Sequence, residues 1–138
     1  MRERRASRPL ILIADDSADT REMYALYLKA VGYGVQTGAD GRVAVRLARV
    51  GRPDLIVMDL QMPDVDGWAA IRQLQSDSKT ATIPVIVLTG HDLKDYLKQS
   101  AVSEGAVAYL TKPITPEKLF HEIAKYLGQR PAQRRRAG

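Results

Sequence analysis

The sequence predicts an α/β domain with an open, doubly wound parallel sheet and helices on both faces. Continuous apolar runs of four or five residues occur at 10–14, 55–58, 84–88 and 106–110. Such runs are typical of strands that are buried on both faces. Longer amphipathic stretches lie between them, so strands and helices alternate along the chain. The length of 138 residues allows one such domain and is too short for two ordinary ones.

Weaker signals complete this alternation. A fifth, more exposed strand is predicted at residues 35–37. Ser17 is the predicted N-cap of the first helix, and Thr115 is the predicted N-cap of the last. The helices are predicted at 18–31, 41–50, 67–76, 92–103 and 115–128, and the first is predicted to bury Met23, Leu26, Tyr27 and Ala30.

Composition excludes several classes of protein. With 45% hydrophobic and 27% charged residues, the chain has the balance of a folded globular domain. The absence of cysteine excludes disulfides, thiolate metal sites and a cysteine nucleophile. No apolar run approaches the roughly 20 residues of a membrane span. The first run is too short for a secretory signal and ends in Asp15-Asp16, so a cytoplasmic location is expected.

The net charge of +5 comes from the two ends of the chain. Residues 1–8 contain four arginines and one glutamate, and residues 129–138 contain four arginines and no acidic residue. Residues 9–128 contain 13 basic and 15 acidic residues, so we predict a slightly acidic domain between two basic tails. The tails are expected to be solvated. Anchoring to nucleic acid, an acidic partner or lipid is the alternative.

Polar residues follow four of the predicted strands, at the edge where open α/β sheets bind ligands. They are Asp15 and Asp16, then Asp59, then Thr89-Gly90, and finally Lys112-Pro113. Each acidic residue alone could serve as a helix cap. Two carboxylates about 4 Å apart repel by about 4 kcal/mol at an effective dielectric constant of about 20, so the group needs a proton or a cation.

Hard oxygen ligands without histidine or cysteine favour Mg²⁺, or Mn²⁺ in its place. A carboxylate beside such a cation, a hydroxyl group and a lysine suits a phosphoryl acceptor. A purely structural metal site is the alternative, and it leaves Lys112 without a role.

The ordered set of motifs resembles the receiver domain of two-component response regulators. The matching residues are Asp15-Asp16-Ser17, Asp59-x-x-Met62-Pro63-x-x-Asp66-Gly67, Thr89-Gly90 and Tyr109-x-x-Lys112-Pro113. The resemblance covers residues 9–128 and implies a flavodoxin-like sheet with strand order 2-1-3-4-5.

The resemblance also implies a role for each matching residue. Asp59 is the expected phosphoacceptor, and Lys112, joined to Pro113 by a cis peptide bond, is expected to pair with the phosphoryl group. Thr89 is expected to move towards the phosphoryl oxygen, and Tyr109 to follow it from an exposed to a buried position. The expected Mg²⁺ ligands are Asp16, Asp59 and the backbone carbonyl of Gln61, with Asp15 acting mainly through a metal-bound water.

The implied partners are a sensor histidine kinase or a histidine phosphotransfer protein as the donor, and a downstream protein as the target. The target is expected at the surface formed by the fourth predicted helix, the fifth strand and the last helix. Ten residues after Gly128 are too few for an output domain, so a stand-alone receiver is expected. It assists only its own phosphorylation and dephosphorylation, and phosphorylation is expected to promote a homodimer.

Three alternatives remain open from the sequence. The first is a nucleic-acid or protein adaptor with basic tails and an inert pocket. The second is a phosphatase of the haloacid dehalogenase type, which requires a second aspartate two residues after the nucleophile. Ser17 and Gln61 occupy the corresponding positions after Asp15 and Asp59, which argues against that enzyme. The third is a fragment of a longer regulator.

Overall fold

The computed structural model describes residues 8–60, 62, 67–90 and 105–127. The predicted helix at 92–103 and the basic tail at 129–138 lie outside these residues. Of the basic tail at 1–8, only Arg8 is described. Within them the chain forms five strands and four helices: β1 (Leu10–Ala14), α1 (Ala18–Ala30), β2 (Gly34–Gly38), α2 (Gly41–Gly51), β3 (Leu55–Met58), α3 (Gly67–Gln75), β4 (Val85–Thr89), β5 (Ala106–Thr111) and α4 (Pro116–Leu127).

The five strands form one parallel sheet in the order β2-β1-β3-β4-β5, which confirms the predicted fold. After β2 the chain crosses to the other side of β1, so the strand order reverses between β1 and β3. In open α/β sheets this switch point, at the carboxyl ends of the strands, is where ligands bind. Asp15 and Asp59 follow these two strands directly.

Two apolar layers cover the sheet, because alternate side chains of each strand point to opposite faces. On one face, Leu12, Ile56 and Val85 pack with buried residues of α2 and α3. On the other face, Ile13 and Val57 pack with buried residues of α1 and α4. The sheet interior is therefore covered on both sides, and the buried polar residues Asp15, Asp59 and Thr89 lie at the ends of strands.

The predicted face of α1 is correct only at Tyr27, which is half-buried and packs against the apolar layer of α1 and α4. The structure buries Tyr24, Ala25 and Leu28, whereas Met23 is 45% and Leu26 is 74% exposed. The apolar residues of this helix lie on several of its sides, so their spacing alone does not determine which side faces the sheet. The Tyr24 hydroxyl donates a hydrogen bond to the carbonyl of Ile114 at 2.8 Å, a tertiary contact that fits the observed rotation of the helix.

The predicted N-caps are confirmed. The Ser17 hydroxyl accepts a hydrogen bond from the amide of Thr20, and that of Thr115 accepts one from the amide of Lys118. These bonds satisfy amides that the first turn of a helix leaves unpaired. No helix in the described ranges is long and apolar enough to cross a membrane.

Candidate functional site

Backbone hydrogen bonds beyond the strand ends hold the site together. The amide of Asp59 donates to the carbonyl of Ala14 at 2.9 Å, and the amide of Lys112 donates to that of Thr89 at 2.8 Å. The amide of Asp15 donates to the carbonyl of Gly38 at 3.0 Å. The segments that leave β1, β3 and β5 are thus fixed to neighbouring strands at one edge of the sheet.

Three carboxylates meet at this edge. Oxygen atoms of Asp15, Asp16 and Asp59 all lie within 4.8 Å of one another. The side chains of Asp15 and Asp59 are only 4% and 7% exposed, while Asp16 is exposed. Burial of two of these groups weakens the screening by water, so their mutual repulsion favours the binding of a cation.

Lys112 supplies one positive charge to this cluster. Its Nζ lies 2.6 Å from Oδ2 of Asp15 and 3.3 Å from Oδ2 of Asp59, and its peptide bond to Pro113 is cis. Burial alone would lower the pKa of Lys112, but its hydrogen bond to Asp15 and the nearby carboxylate charges outweigh burial and raise the pKa above 10.5. Three carboxylate groups therefore face one lysine cation, an arrangement that suits the binding of a divalent cation.

The two aspartates after β1 have different surroundings. Oδ1 of Asp15 accepts a hydrogen bond from the amide of Ser17 at 2.9 Å, and its Oδ2 is bonded to Lys112. The Arg21 guanidinium donates to the backbone carbonyl of Asp15 at 2.8 Å. Both carboxylate oxygens of Asp15 are therefore engaged by protein groups, whereas the carboxylate of Asp16 lies on the exposed side of the cluster.

Thr89 carries an unusual hydroxyl group at the end of β4. The residue is fully buried, and its Oγ1 has no hydrogen-bond partner in the described part of the chain. A buried polar group without a partner costs about 1–3 kcal/mol. This hydroxyl is consequently available to an acceptor that is added to the site.

The site requires glycine at position 67, and the reason lies in the structure and not in the sequence motif. A Cβ atom at this position would overlap the backbone oxygen of Asp59 and lie 2.6 Å from Cα of Leu60. The amide of Gly67 donates to the carbonyl of Leu60 at 3.1 Å. The start of α3 is thus pressed against the backbone of Asp59, where only glycine fits.

Tyr24 is a residue near the site that sequence reasoning missed. Burial raises its pKa, the charge of Lys112 lowers it and that of Asp15 raises it again, so the phenol lies within electrostatic range of the site. Its hydroxyl is bonded to Ile114, on the segment that links Lys112 to α4. A tyrosine inside a helix has no motif around it, so only the tertiary structure reveals this contact.

A protein-family model described as the response regulator receiver domain matches residues 11–124. The chain belongs to this family. The match confirms the resemblance, and phosphoryl acceptance is the general function of receiver domains, which are signalling modules and not classical enzymes.

Relatives of this receiver include a protein of similar length and longer ones. It is 42% identical over 115 residues to PilH of Pseudomonas aeruginosa, covering 82% of this chain and 93% of PilH. It is 38% identical over 120 residues to the DNA-binding dual master transcriptional regulator RpaA of Synechocystis, covering 86% of this chain. The receiver spans only 49% of RpaA, and about half the length of several other curated relatives.

Among solved structures, the receiver resembles the receiver domain of a sensor histidine kinase from Pseudomonas aeruginosa PAO1. The two share 30% identity and a TM-score of 0.80, covering 88% of this chain and 99% of the other. That structure is described with a magnesium ion coordinated in its active-site cleft. The donor set of the present receiver, three carboxylates with a charged lysine beside them, fits the same kind of ion.

The remaining predicted site residues lie around this edge. Tyr109 is half-buried against the apolar layer that contains α2 and α3. Pro113 and Gly90 are exposed, and a Cβ at Gly90 would meet no described atom within 4 Å. Gln61 lies outside the described residues, so its predicted carbonyl ligand stays a prediction.

We expect Thr89→Val to stabilise the receiver by about 1–2 kcal/mol in chemical unfolding, because it replaces an unpaired buried hydroxyl by a methyl group of similar volume. Thr80→Val is the matched control. Thr80 is also buried, but its hydroxyl donates to the carbonyl of Leu74 at 2.7 Å, so the same change should destabilise the protein. Equal destabilisation by both substitutions would contradict the interpretation of Thr89.

Proposed function

We propose that this receiver accepts a phosphoryl group on Asp59 from a histidine kinase or a histidine phosphotransfer protein, in a reaction that depends on Mg²⁺. One observation carries the proposal. Asp59 follows a central strand at the switch point of the sheet, with Lys112 Nζ at 3.3 Å and two further carboxylates within 4.8 Å. The family match supports it, since receivers accept phosphoryl groups.

In the proposed reaction, a carboxylate oxygen of Asp59 attacks the phosphorus of the donor phosphohistidine. The new O–P bond forms as the P–N bond to the imidazole breaks. Lys112 pairs with the developing negative charge on the phosphoryl oxygens, in the manner of cationic groups that stabilise phosphoryl transfer. Lys112 stays charged at neutral pH because its contacts with Asp15 and Asp59 outweigh the lowering of its pKa by burial.

We assign the metal site to Asp16 and Asp59 as direct ligands, with the carbonyl of Gln61 completing the set. Asp15 acts through a metal-bound water in this assignment, which is supported by the engagement of both its oxygens by Ser17 and Lys112. Bound Mg²⁺ would neutralise the phosphoryl oxygens, which is its usual contribution to such reactions.

Phosphorylation adds about 1.5 to 2 negative charges next to Asp59. In the structure, Nζ of Lys112 lies closer to Asp15 than to Asp59. The charge added by phosphorylation attracts Lys112 towards the phosphoryl group. The hydroxyl of Thr89, which has no partner among the residues that the structure describes, is the second group that can bind the new oxygens. Movement of Thr89 frees space for Tyr109, and these shifts change the surface of β5 and α4 on which we place the downstream target.

We assign the docking surface of the phosphodonor to the outer face of α1. This helix begins two residues after Asp16, and its outer face exposes the apolar side chains of Met23 and Leu26. Exposed apolar groups beside a reactive site are typical of a surface that a partner covers. A phosphodonor bound to α1 would reach the Asp59 carboxylate from the side of the sheet edge at which this helix begins.

The test uses beryllofluoride, a mimic of the phosphoryl group, together with Mg²⁺. Trp68 is the single tryptophan and follows Gly67, which lies against the backbone of Asp59, so its fluorescence should report on the surroundings of Asp59. We expect a Mg²⁺-dependent change in emission, and Asp16→Asn should raise the Mg²⁺ concentration required by at least about tenfold.

Asp40→Asn is the matched control for this experiment. Asp40 caps α2 by accepting a hydrogen bond from the amide of Val43, a bond that asparagine also makes, and it lies outside the carboxylate cluster. Its response should equal that of the wild type. A change in emission that needs no Mg²⁺, or an equal loss in both variants, would exclude the proposed metal site.

A further inference from the structure

A basic groove lies between α2 and α3, apart from the carboxylate edge. Its volume is about 470 Å³, and its lining includes the cations Arg42, Arg46, Arg49 and Lys79 and the apolar residues Val45 and Val50. Because α2 starts near the carboxyl ends of the strands and runs back along the sheet, Arg49 and Val50 lie towards the opposite end from Asp59.

The charge of this groove contrasts with that of the domain around it. Helix α2 carries three arginines and no acidic residue, although acidic residues outnumber basic ones between residues 9 and 128. Arg49 lies in the last turn, where a cation stabilises the helix dipole. Arg42 lies in the first turn, where a cation opposes the dipole, so helix stability does not account for it.

One cation of the groove already pairs with a carboxylate of this chain. Nε of Arg49 lies 2.8 Å from Oδ2 of Asp77, which follows α3 and does not line the groove. Arg42, Arg46 and Lys79 form no ion pair with any other described residue. Within the described ranges, these three cations are therefore available to acidic groups from outside.

Apolar surface between the cations indicates what kind of acidic group fits. Val50 is 79% exposed and Val45 lines the groove beside it. The phosphate backbone of a nucleic acid offers little apolar surface to cover such residues, whereas a peptide offers both carboxylates and apolar side chains. Arg42 and Arg46 are one turn apart, about 6 Å along the axis, close to the roughly 6.6 Å between alternate residues of an extended peptide.

We infer that the groove between α2 and α3 binds an acidic, partly apolar peptide segment of a partner protein. The arginine-rich tails of this chain have the wrong charge to occupy it. Since the groove lies away from Asp59, this binding is separate from phosphoryl acceptance. The receiver would then hold one partner constantly while its phosphorylation state governs another.

The probe is a fluorescein-labelled peptide of ten alternating glutamate and leucine residues, titrated with the full chain in fluorescence anisotropy. The double variant Arg42→Glu and Arg46→Glu should bind at least about tenfold more weakly than the wild type. The control, Lys29→Glu and Lys118→Glu, makes the same charge change at exposed positions outside the groove and should stay within about twofold. Circular dichroism verifies that both variants are folded.

Equal weakening in the two variants would overturn the inference, because it would reflect attraction to the net charge of the chain and not to the groove. Groove-dependent binding of duplex DNA without groove-dependent binding of the peptide would also overturn it. A peptide of glutamate and serine should bind more weakly than the probe, and equal affinity would contradict the role of Val50. Asp59→Asn should bind the probe like the wild type, so this outcome is independent of the proposed phosphorylation.

Discussion

Asp59→Asn should abolish phosphoryl uptake from acetyl phosphate and Mg²⁺, whereas the wild type should gain the mass of one phosphoryl group. Asparagine keeps the volume of the side chain but lacks the carboxylate oxygen that attacks phosphorus. The neighbouring Asp15 and Asp16 do not replace it, because Asp15 is held by Ser17 and Lys112 and Asp16 lies on the exposed side. Intact mass spectrometry at increasing times measures the effect.

Asp40→Asn is the appropriate control, since it makes the same chemical change at a capping aspartate outside the cluster. It should take up one phosphoryl group at the wild-type rate. Uptake by Asp59→Asn at a similar rate would contradict the assignment of the phosphoacceptor. No uptake by the wild type from acetyl phosphate, or from a panel of phosphorylated kinases, would favour the inert-pocket alternative.

Gly67→Ala should be the most damaging single methyl addition near the site. The new Cβ would collide with the backbone of Asp59 and Leu60, which cannot swing away as a flexible side chain can. We expect a loss of about 3 kcal/mol in the free energy of unfolding. For a domain of this size that corresponds to a fall in Tm of about 10 °C. Displacement of the Asp59 backbone should also slow phosphoryl uptake.

Gly34→Ala provides the comparison for this effect. A Cβ at Gly34 would have its nearest neighbour, Cδ1 of Leu10, at 3.5 Å, an ordinary contact. That change should alter stability by less than about 1 kcal/mol. Similar losses for the two variants would show that Gly67 is not confined by the backbone of Asp59, and thermal unfolding distinguishes the two results.

The sequence was sufficient to predict the sheet, because its central strands are buried on both faces and appear as uninterrupted apolar runs. The same reasoning brought Asp15, Asp59 and Lys112 together, since parallel strands end at one edge. Both predictions depend on which segments are buried and on the parallel direction of the strands, and both of these can be inferred from sequence patterns. The strand order itself came from the family resemblance and not from periodicity.

Other features depend on three-dimensional contacts that leave no pattern in the sequence. The rotation of α1 was mispredicted because Met23 and Leu26 share the helical spacing of the residues that are buried. The unpaired hydroxyl of Thr89 and the confinement of Gly67 result from atoms of other elements. The motif identified both residues as important, but their physical reasons became visible only in the folded chain.

The unpaired hydroxyl of Thr89 has a consequence for the balance between resting and active conformations. In the proposed switch, this hydroxyl gains an acceptor only when the phosphoryl group is present. Relief of a penalty of about 1–3 kcal/mol would then add the same amount to the preference of the phosphorylated receiver for its active conformation. Since 1.4 kcal/mol is about a tenfold change in an equilibrium constant, this single contact would shift the equilibrium by roughly one to two orders of magnitude on phosphorylation, without raising the population of the active conformation beforehand.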